Sequence, residues 1–173
     1  PEVTYCRVRV TDPPSESWEG RGGAEVNEEL ILAKDLIGSV LRNHAEVIEE
    51  FPGSDLVGKS YSPLFPGAIE RGGSESAWTI VPADFVTTTD GTGVVHTAVM
   101  YGEDDYRLGM EVGFPAQHTV GMDGKFVIGV HENLDGRYVK DCDDEIINLL
   151  ASRGLLYREH EYTHDYPHCW RTD

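Results

Sequence analysis

The chain has 173 residues and carries 31 Asp and Glu against 14 Lys and Arg, a formal charge of −17. That balance excludes a basic nucleic-acid clamp, which needs clustered Lys and Arg to release counterions. Hydrophobic residues make up 39% and aromatics 9%, which fits one packed domain and excludes a disordered tail, while no apolar run is long enough to span a bilayer.

The opening Pro1-Glu2-Val3-Thr4-Tyr5 reads as the middle of a strand, so the chain is expected to be an excised piece of a larger protein. No charged leader with an apolar stretch opens it, so no secretory signal is expected. Residues 3–10 (VTYCRVRV) alternate and are rich in β-branched residues, the pattern of a strand. Residues 11–25 hold Pro, Ser and Gly and read as a mobile loop. Residues 29–33 (ELILA) read as the returning strand. In 34–44, Leu36, Ile37, Val40 and Leu41 fall at helical spacing and predict an amphipathic helix. Residues 51–66 are broken by Pro and Gly, with one short strand expected near 58–61. Residues 77–85 (AWTIVPADF) read as a strand that Pro82 confines to an edge or a bulge.

Residues 87–93 form a turn, and 94–99 (VVHTAV) are expected to follow as a buried strand. Glu103, Asp104 and Asp105 suit the first turn of a helix and Gly113 its C-terminal stop. Residues 143–153 (DDEIINLLASR), closed by Gly154, are the clearest helix, and 155–163 read as a last strand. This irregular interleaving predicts a mixed α/β domain around a barrel-like sheet with peripheral helices.

The acid is spread along the chain, at Glu46, Glu49 and Glu50, at Glu103 to Asp105, and at Asp141 and Asp143 to Glu145. The plainer reading is a heavily solvated surface from a salt-loving cytoplasm; the functional one is an acidic site for a cation or a basic partner. Cys6, Cys142 and Cys169 are far apart and odd in number, with no C-x-x-C, so neither a zinc ribbon nor a disulfide framework is expected. A reducing, cytoplasmic setting is the default.

The densest constellation is DGTGVVHTAVMYGEDDY, residues 90–106. Gly91 and Gly93 flank Thr92 and permit a tight backbone approach to a ligand. His96 falls at the end of the expected strand and Asp104 and Asp105 at the start of the helix, a spacing that lets the chain turn and bring both to one pocket. The competing reading is a structural histidine and a helix cap. His160, His164 and His168 stand four apart, as metal ligands on a helix would, but the residues between them favour strand and turn, and no metal is expected. Gly-x-Gly at 91–93 lacks the continuation of a dinucleotide site, since position 96 is His96. There is no phosphate loop and no G-x-S-x-G elbow, and Cys169 beside His168 would point to the opposite face of a strand.

GTGVVHTAVMYGEDDY resembles the signature of the editing domain of isoleucyl-tRNA synthetase, an insertion in a class I catalytic domain whose usual form is GTGxVHxAPxxGxxD. Val99 stands here where that Pro is common. The closing YPHCWR at 166–171 resembles the family's return to the catalytic domain, so 164–173 are expected to be a return segment; Thr172 replaces the last Cys of the usual CWRC. EELILAKDL at 28–36 is also similar to the family. The resemblance covers essentially all of residues 1–173 as a single editing domain, and the valyl enzyme is the assignment most easily confused with it. The family's threonine-rich WTTTPWT strand, upstream of the segment matching residues 1–10, is absent, and Thr87-Thr88-Thr89 is not its equivalent.

The resemblance implies the editing-domain fold shared by the valyl, leucyl and isoleucyl enzymes, and hydrolysis of misacylated Val-tRNA(Ile), post-transfer with a pre-transfer share left open. It implies that Asp105 holds the α-ammonium of the misattached amino acid and that His96 lines the side-chain pocket and bars the extra methyl of Ile. Gly91, Thr92, Gly93, Thr97 and Asp104 are the implied substrate-binding residues. The attacking water is expected to be oriented by the substrate's ribose hydroxyl, with no metal or cofactor; ATP and Mg would belong to the parent's catalytic domain. The implied partners are the 3′ end of tRNA(Ile) carrying valine and that catalytic domain, with no DNA and no membrane. The alternatives are a non-catalytic acidic binding module and the equivalent domain of valyl-tRNA synthetase.

Overall fold

Alternation along the first strand sets the sheet. In this computed structural model, which describes residues 2–12, 22–42, 44–65 and 77–159, β1 (Thr4–Val10) turns Cys6, Val8 and Val10 inward, each at most 1% exposed. β1 is the central strand of an antiparallel sheet ordered β2-β1-β3, with β2 at Glu29–Ala33 and β3 at Ala45–Pro52. Cys6 faces Leu32 across one ladder and Glu50 across the other. The pairing with β3 slips between Arg7 and Val8, a bulge that bends the outer strand. Leu36, Val40 and Leu41, from a 3₁₀ turn (Lys34–Leu36) and the short helix α1 (Ile37–Val40) that continues it, cover the inner face. Tyr157 packs on the same core and donates its hydroxyl to the Val40 carbonyl at 3.1 Å.

The outer face of the sheet is charged. Arg7 pairs there with Glu49 at 2.9 Å and Glu29 at 3.6 Å, and Arg9 with Glu29 at 2.9 Å, while on the Cys6 side Lys34 pairs with Glu50 at 2.7 Å. Each of these half-exposed pairs is worth little alone. Together they place the available cations directly against the carboxylates of β2 and β3.

The second half of the chain carries α2 (Glu103–Val112) and α3 (Asp143–Ser152), both with three acids in the first turn, where the helix dipole favours them. Gly113 ends α2 in the left-handed conformation at φ 76°, as its position after the periodic residues predicts. Val130, Leu134 and Cys142, the residue that precedes α3, are buried. The Asp135 carboxylate accepts the amide hydrogens of Gly129 at 2.7 Å and of Val130 and His131 at 2.9 Å, and so fixes the loop there. Those bonds, that from Gly129 foremost, hold its carboxyl below the usual carboxylate range.

The mixed α/β class is as expected, but the described sheet has three strands and is open, so the barrel-like closure is not what these residues form. The expected helix over 34–44 is shorter, because Arg42 turns to φ 54° and the chain enters β3 at Ala45. β3 itself was not expected. Segments 58–61 and 77–85 meet only through the bridge Ser60–Thr79 and flanking backbone bonds, so each is a fragment of a strand. Residues 94–99 are not a buried strand: among the described residues no partner strand reaches them, and Val94 and Val95 are 48% and 52% exposed. Residues 155–159 are likewise not in a strand. Much of the expected loop at 11–25, the histidines at 160, 164 and 168, Cys169 and the return segment 164–173 lie outside the described residues.

Candidate functional site

The site begins with a turn that only glycine permits. Gly91 and Gly93 stand at φ 70° and 77°, the left-handed region that other residues rarely adopt. Gly93 is also packed: a Cβ there would lie 2.6 Å from the Cβ of Ala33. Two bonds hold the turn on the sheet. The Ala33 amide donates to the Thr92 carbonyl at 2.9 Å, and the Tyr5 hydroxyl donates to the Gly93 carbonyl at 2.6 Å. The Asp90 carboxylate accepts the Gly91 amide hydrogen at 2.7 Å, and the Thr92 hydroxyl oxygen accepts that of Val94 at 3.4 Å. Thus the end of β2 and the start of β1 position 91–93.

From this anchor the chain runs through His96, exposed, and Thr97, half-buried, to the start of α2. Asp105 is the third residue of α2, and its carboxylate reaches back to accept the Ala98 amide hydrogen at 3.0 Å. The carboxylate therefore fastens the segment just two residues beyond His96. Gly102 leaves room for it, since a Cβ there would collide with the Asp105 carboxylate. Gly109, buried on α2, similarly receives Val99, whose Cγ1 would be 2.7 Å from any added Cβ. One end of the segment is thus tied to the sheet and the other to the helix.

Asp104 differs from its neighbour. It is exposed and lies 3.4 Å from Arg107, which also binds Glu103 at 3.0 Å, so it sits in a surface ion cluster on α2. Tyr101 turns away from the site and accepts the amide hydrogens of Thr119 and Val120 at 2.7 and 2.9 Å. It lines a shallow groove with Val120, Phe126, Val139 and Ile146, which contains none of the residues expected from the sequence.

The His96 ring meets the edge of Tyr61, with ring centroids 6.0 Å apart and planes at 82°. Tyr61 in turn meets Trp78 with the same separation and angle. Neither Tyr61 nor the turn-holding pair Tyr5 and Ala33 was marked by sequence reasoning. Their contacts cross long stretches of chain, and no local pattern announces them. Among the described residues, no group of three or more His, Cys, Asp or Glu is placed to hold a metal ion. None of the helices among them is long and apolar enough to cross a membrane.

No family model matches the chain. It is 44% identical over 147 residues to an isoleucine–tRNA ligase of Clostridium tetani, an alignment covering 85% of this chain and 14% of the relative. An isoleucine–tRNA ligase of Clostridium novyi is 44% identical over 84% of the chain and 14% of its own length. One of Bacillus thuringiensis is 43% identical over 83% of the chain and 13% of its own length. The chain with this mixed fold and anchored glycine turn is thus similar to a segment of aminoacyl-tRNA ligases. More narrowly, the chain is a homologue of one segment of the isoleucine–tRNA ligases, spanning about 14% of the length of the curated relatives it matches.

Proposed function

We propose that the chain is the editing domain of an isoleucyl-tRNA synthetase and that it hydrolyses valine misattached to tRNA(Ile). The observation that carries this reading is the fastening of Asp105 to Ala98, which holds carboxylate and His96 on one short segment, in a chain 44% identical to isoleucine–tRNA ligases. A carboxylate has about four acceptor positions, so the bond from Ala98 leaves capacity for an ammonium group. In this reading Asp105 binds the α-ammonium of the amino acid through charge-assisted hydrogen bonds. Asp105 stands in the first turn of α2, where the helix dipole suits an acid. His96 bounds the side-chain pocket, and the backbone of 91–93 approaches the ester closely because two of its residues have no side chain.

The chemical need is definite. One methylene is worth about 1–3 kcal/mol of discrimination, a general figure drawn from isoleucine against valine rather than from this structure. A second pocket that admits valine and excludes isoleucine by bulk supplies the remainder. The partners of this reading are the single-stranded 3′ end of the charged tRNA and the rest of the ligase, in the cytoplasm. The −17 charge suits a domain that meets only that end while other parts of the ligase grip the tRNA. No cofactor takes part at this site.

Asp105→Ala in the full-length ligase tests the reading. Deacylation of Val-tRNA(Ile) should fall at least about tenfold, the loss of one charge-assisted bond, while isoleucine activation is unchanged. Unchanged deacylation would refute it. The bond to Ala98 also favours a second reading, in which Asp105 only ties the preceding segment to α2 and the module is not catalytic. Asp105→Asn separates the two, since the amide oxygen keeps that tie and loses the charge: full deacylation by that variant supports the structural role.

A further inference from the structure

The editing reading gives His96 a task that its own surroundings do not support. A residue that excludes one methyl group by bulk must hold its ring in place. Yet His96 is exposed, its segment has no strand pairing, and among the described residues its imidazole makes no hydrogen bond. Among the described residues its aromatic contact is with the Tyr61 ring, 6.0 Å between centroids and nearly perpendicular.

The backbone of Tyr61 is tied to its neighbouring segment, and the residue is 39% exposed. Its amide donates to the Trp78 carbonyl at 2.9 Å, and the Ser60–Thr79 bridge with the Ile80–Lys59 bond at 2.8 Å makes a short ribbon of the two segments. The Trp78 ring meets Tyr61 edge to face on that ribbon. Perpendicular aromatic contacts of this kind favour one ring orientation over its alternatives. We infer that Tyr61 is a positioning residue for substrate selection: it braces the His96 ring at the boundary of the amino-acid pocket and so sets the pocket's limit between valine and isoleucine. This rests on the editing reading and adds to it the residue that makes the steric limit firm. The hydroxyl of Tyr61 plays no part; the ring does.

The experiment compares Tyr61→Leu and Tyr61→Phe with the unmodified full-length ligase, on Val-tRNA(Ile) and on Ile-tRNA(Ile). With Leu the ring edge is lost, and the ratio of Ile-tRNA(Ile) to Val-tRNA(Ile) hydrolysis should rise about threefold to tenfold, the range such contacts command. Phe should restore the unmodified ratio, which a merely structural loss would not do. An unchanged ratio in Tyr61→Leu, with Val-tRNA(Ile) still hydrolysed, overturns the bracing role and leaves the editing reading standing. Failure of the unmodified ligase to hydrolyse Val-tRNA(Ile) overturns the editing reading, and this one with it. Should Tyr61→Leu not fold, the nuclear Overhauser effect between the Tyr61 and His96 ring protons of the unmodified chain decides: its presence supports the bracing role and its absence overturns it.

Discussion

Replacing Gly93 by Ala should undo the docking of the candidate site on the sheet. Two separate costs arise. An L-residue at φ 77° costs about 1–2 kcal/mol in the left-handed region. The new methyl would also lie 2.6 Å from the Ala33 Cβ. Ala33 is fully buried in the main core and cannot swing aside, so the turn must lift. Crowding of this kind costs about 1–3 kcal/mol. Lifting the turn strains the Ala33 to Thr92 and Tyr5 to Gly93 bonds as well. The sum is about 2–5 kcal/mol, and for a chain of this size each kcal/mol lowers Tm by about 2–4 °C. Gly91→Ala is the control, because φ there is 70° but nothing lies within 4 Å of the added methyl. It should show the conformational cost alone. Thermal unfolding followed by circular dichroism measures both. If the two variants melt within about 2 °C of each other, the packed contact with Ala33 has no energetic weight and the docking argument fails.

His96→Ala in the full-length ligase should hydrolyse correctly charged Ile-tRNA(Ile) while keeping Val-tRNA(Ile) hydrolysis; loss of both hydrolyses would make His96 a base, and no change would make it structural. Asp135 contributes stability that is present above its ordinary value of 3.8 and is lost as pH falls through its lower folded-state value. Asp135→Asn should therefore flatten the loss of Tm as pH falls below about 4, and parallel melting curves for variant and unmodified chain would count against the three-bond carboxylate. The −17 charge should make Tm fall on dilution from molar to low salt, where screening lengthens from about 3 Å to about 30 Å; a flat or rising Tm would remove self-repulsion as a term.

The elements legible in the sequence are those whose cause is local. β1 shows its buried face in the alternation of Cys6, Val8 and Val10, and α2 and α3 show their ends in first-turn acids and in Gly113 and Gly154. β3 was hidden because Glu46, Glu49 and Glu50 made it look like a solvated acidic stretch. Its Glu49 and Glu50 are answered by Arg7 and Lys34, partners that the local pattern does not name. The opposite error fell on Val94 to Val99. Their β-branched side chains favour a strand in isolation, but strand preference is realised only against a neighbouring strand. Here Val99 packs on Gly109 and Ala98 is bound by Asp105, so the helix and not a sheet fixes the segment. Of the candidate site, the glycine turn and the start of α2 were readable. Asp104, expected among the substrate-binding residues, also lies 3.4 Å from Arg107 on the exposed face of α2. The brace behind His96 depends on contacts across the fold, which spacing alone does not carry.

The bond from Ala33 to Thr92 also orders events in time. The three strands of the described sheet lie within the first 52 residues, so the sheet pairs through near neighbours, whereas Tyr5 and Gly93 are 88 residues apart. Contacts of short span form readily, and long loops close against a larger entropy. During synthesis the sheet can be complete before residue 90 has left the ribosome, and the turn arrives on a finished surface. The same order holds in reverse for the folded chain: the turn can detach while the strands stay paired, a local opening of low free energy. The amide of Ala33 is then a natural gauge of that opening. Its hydrogen should exchange with solvent deuterium each time the turn lifts, while the paired amides of β1 stay protected.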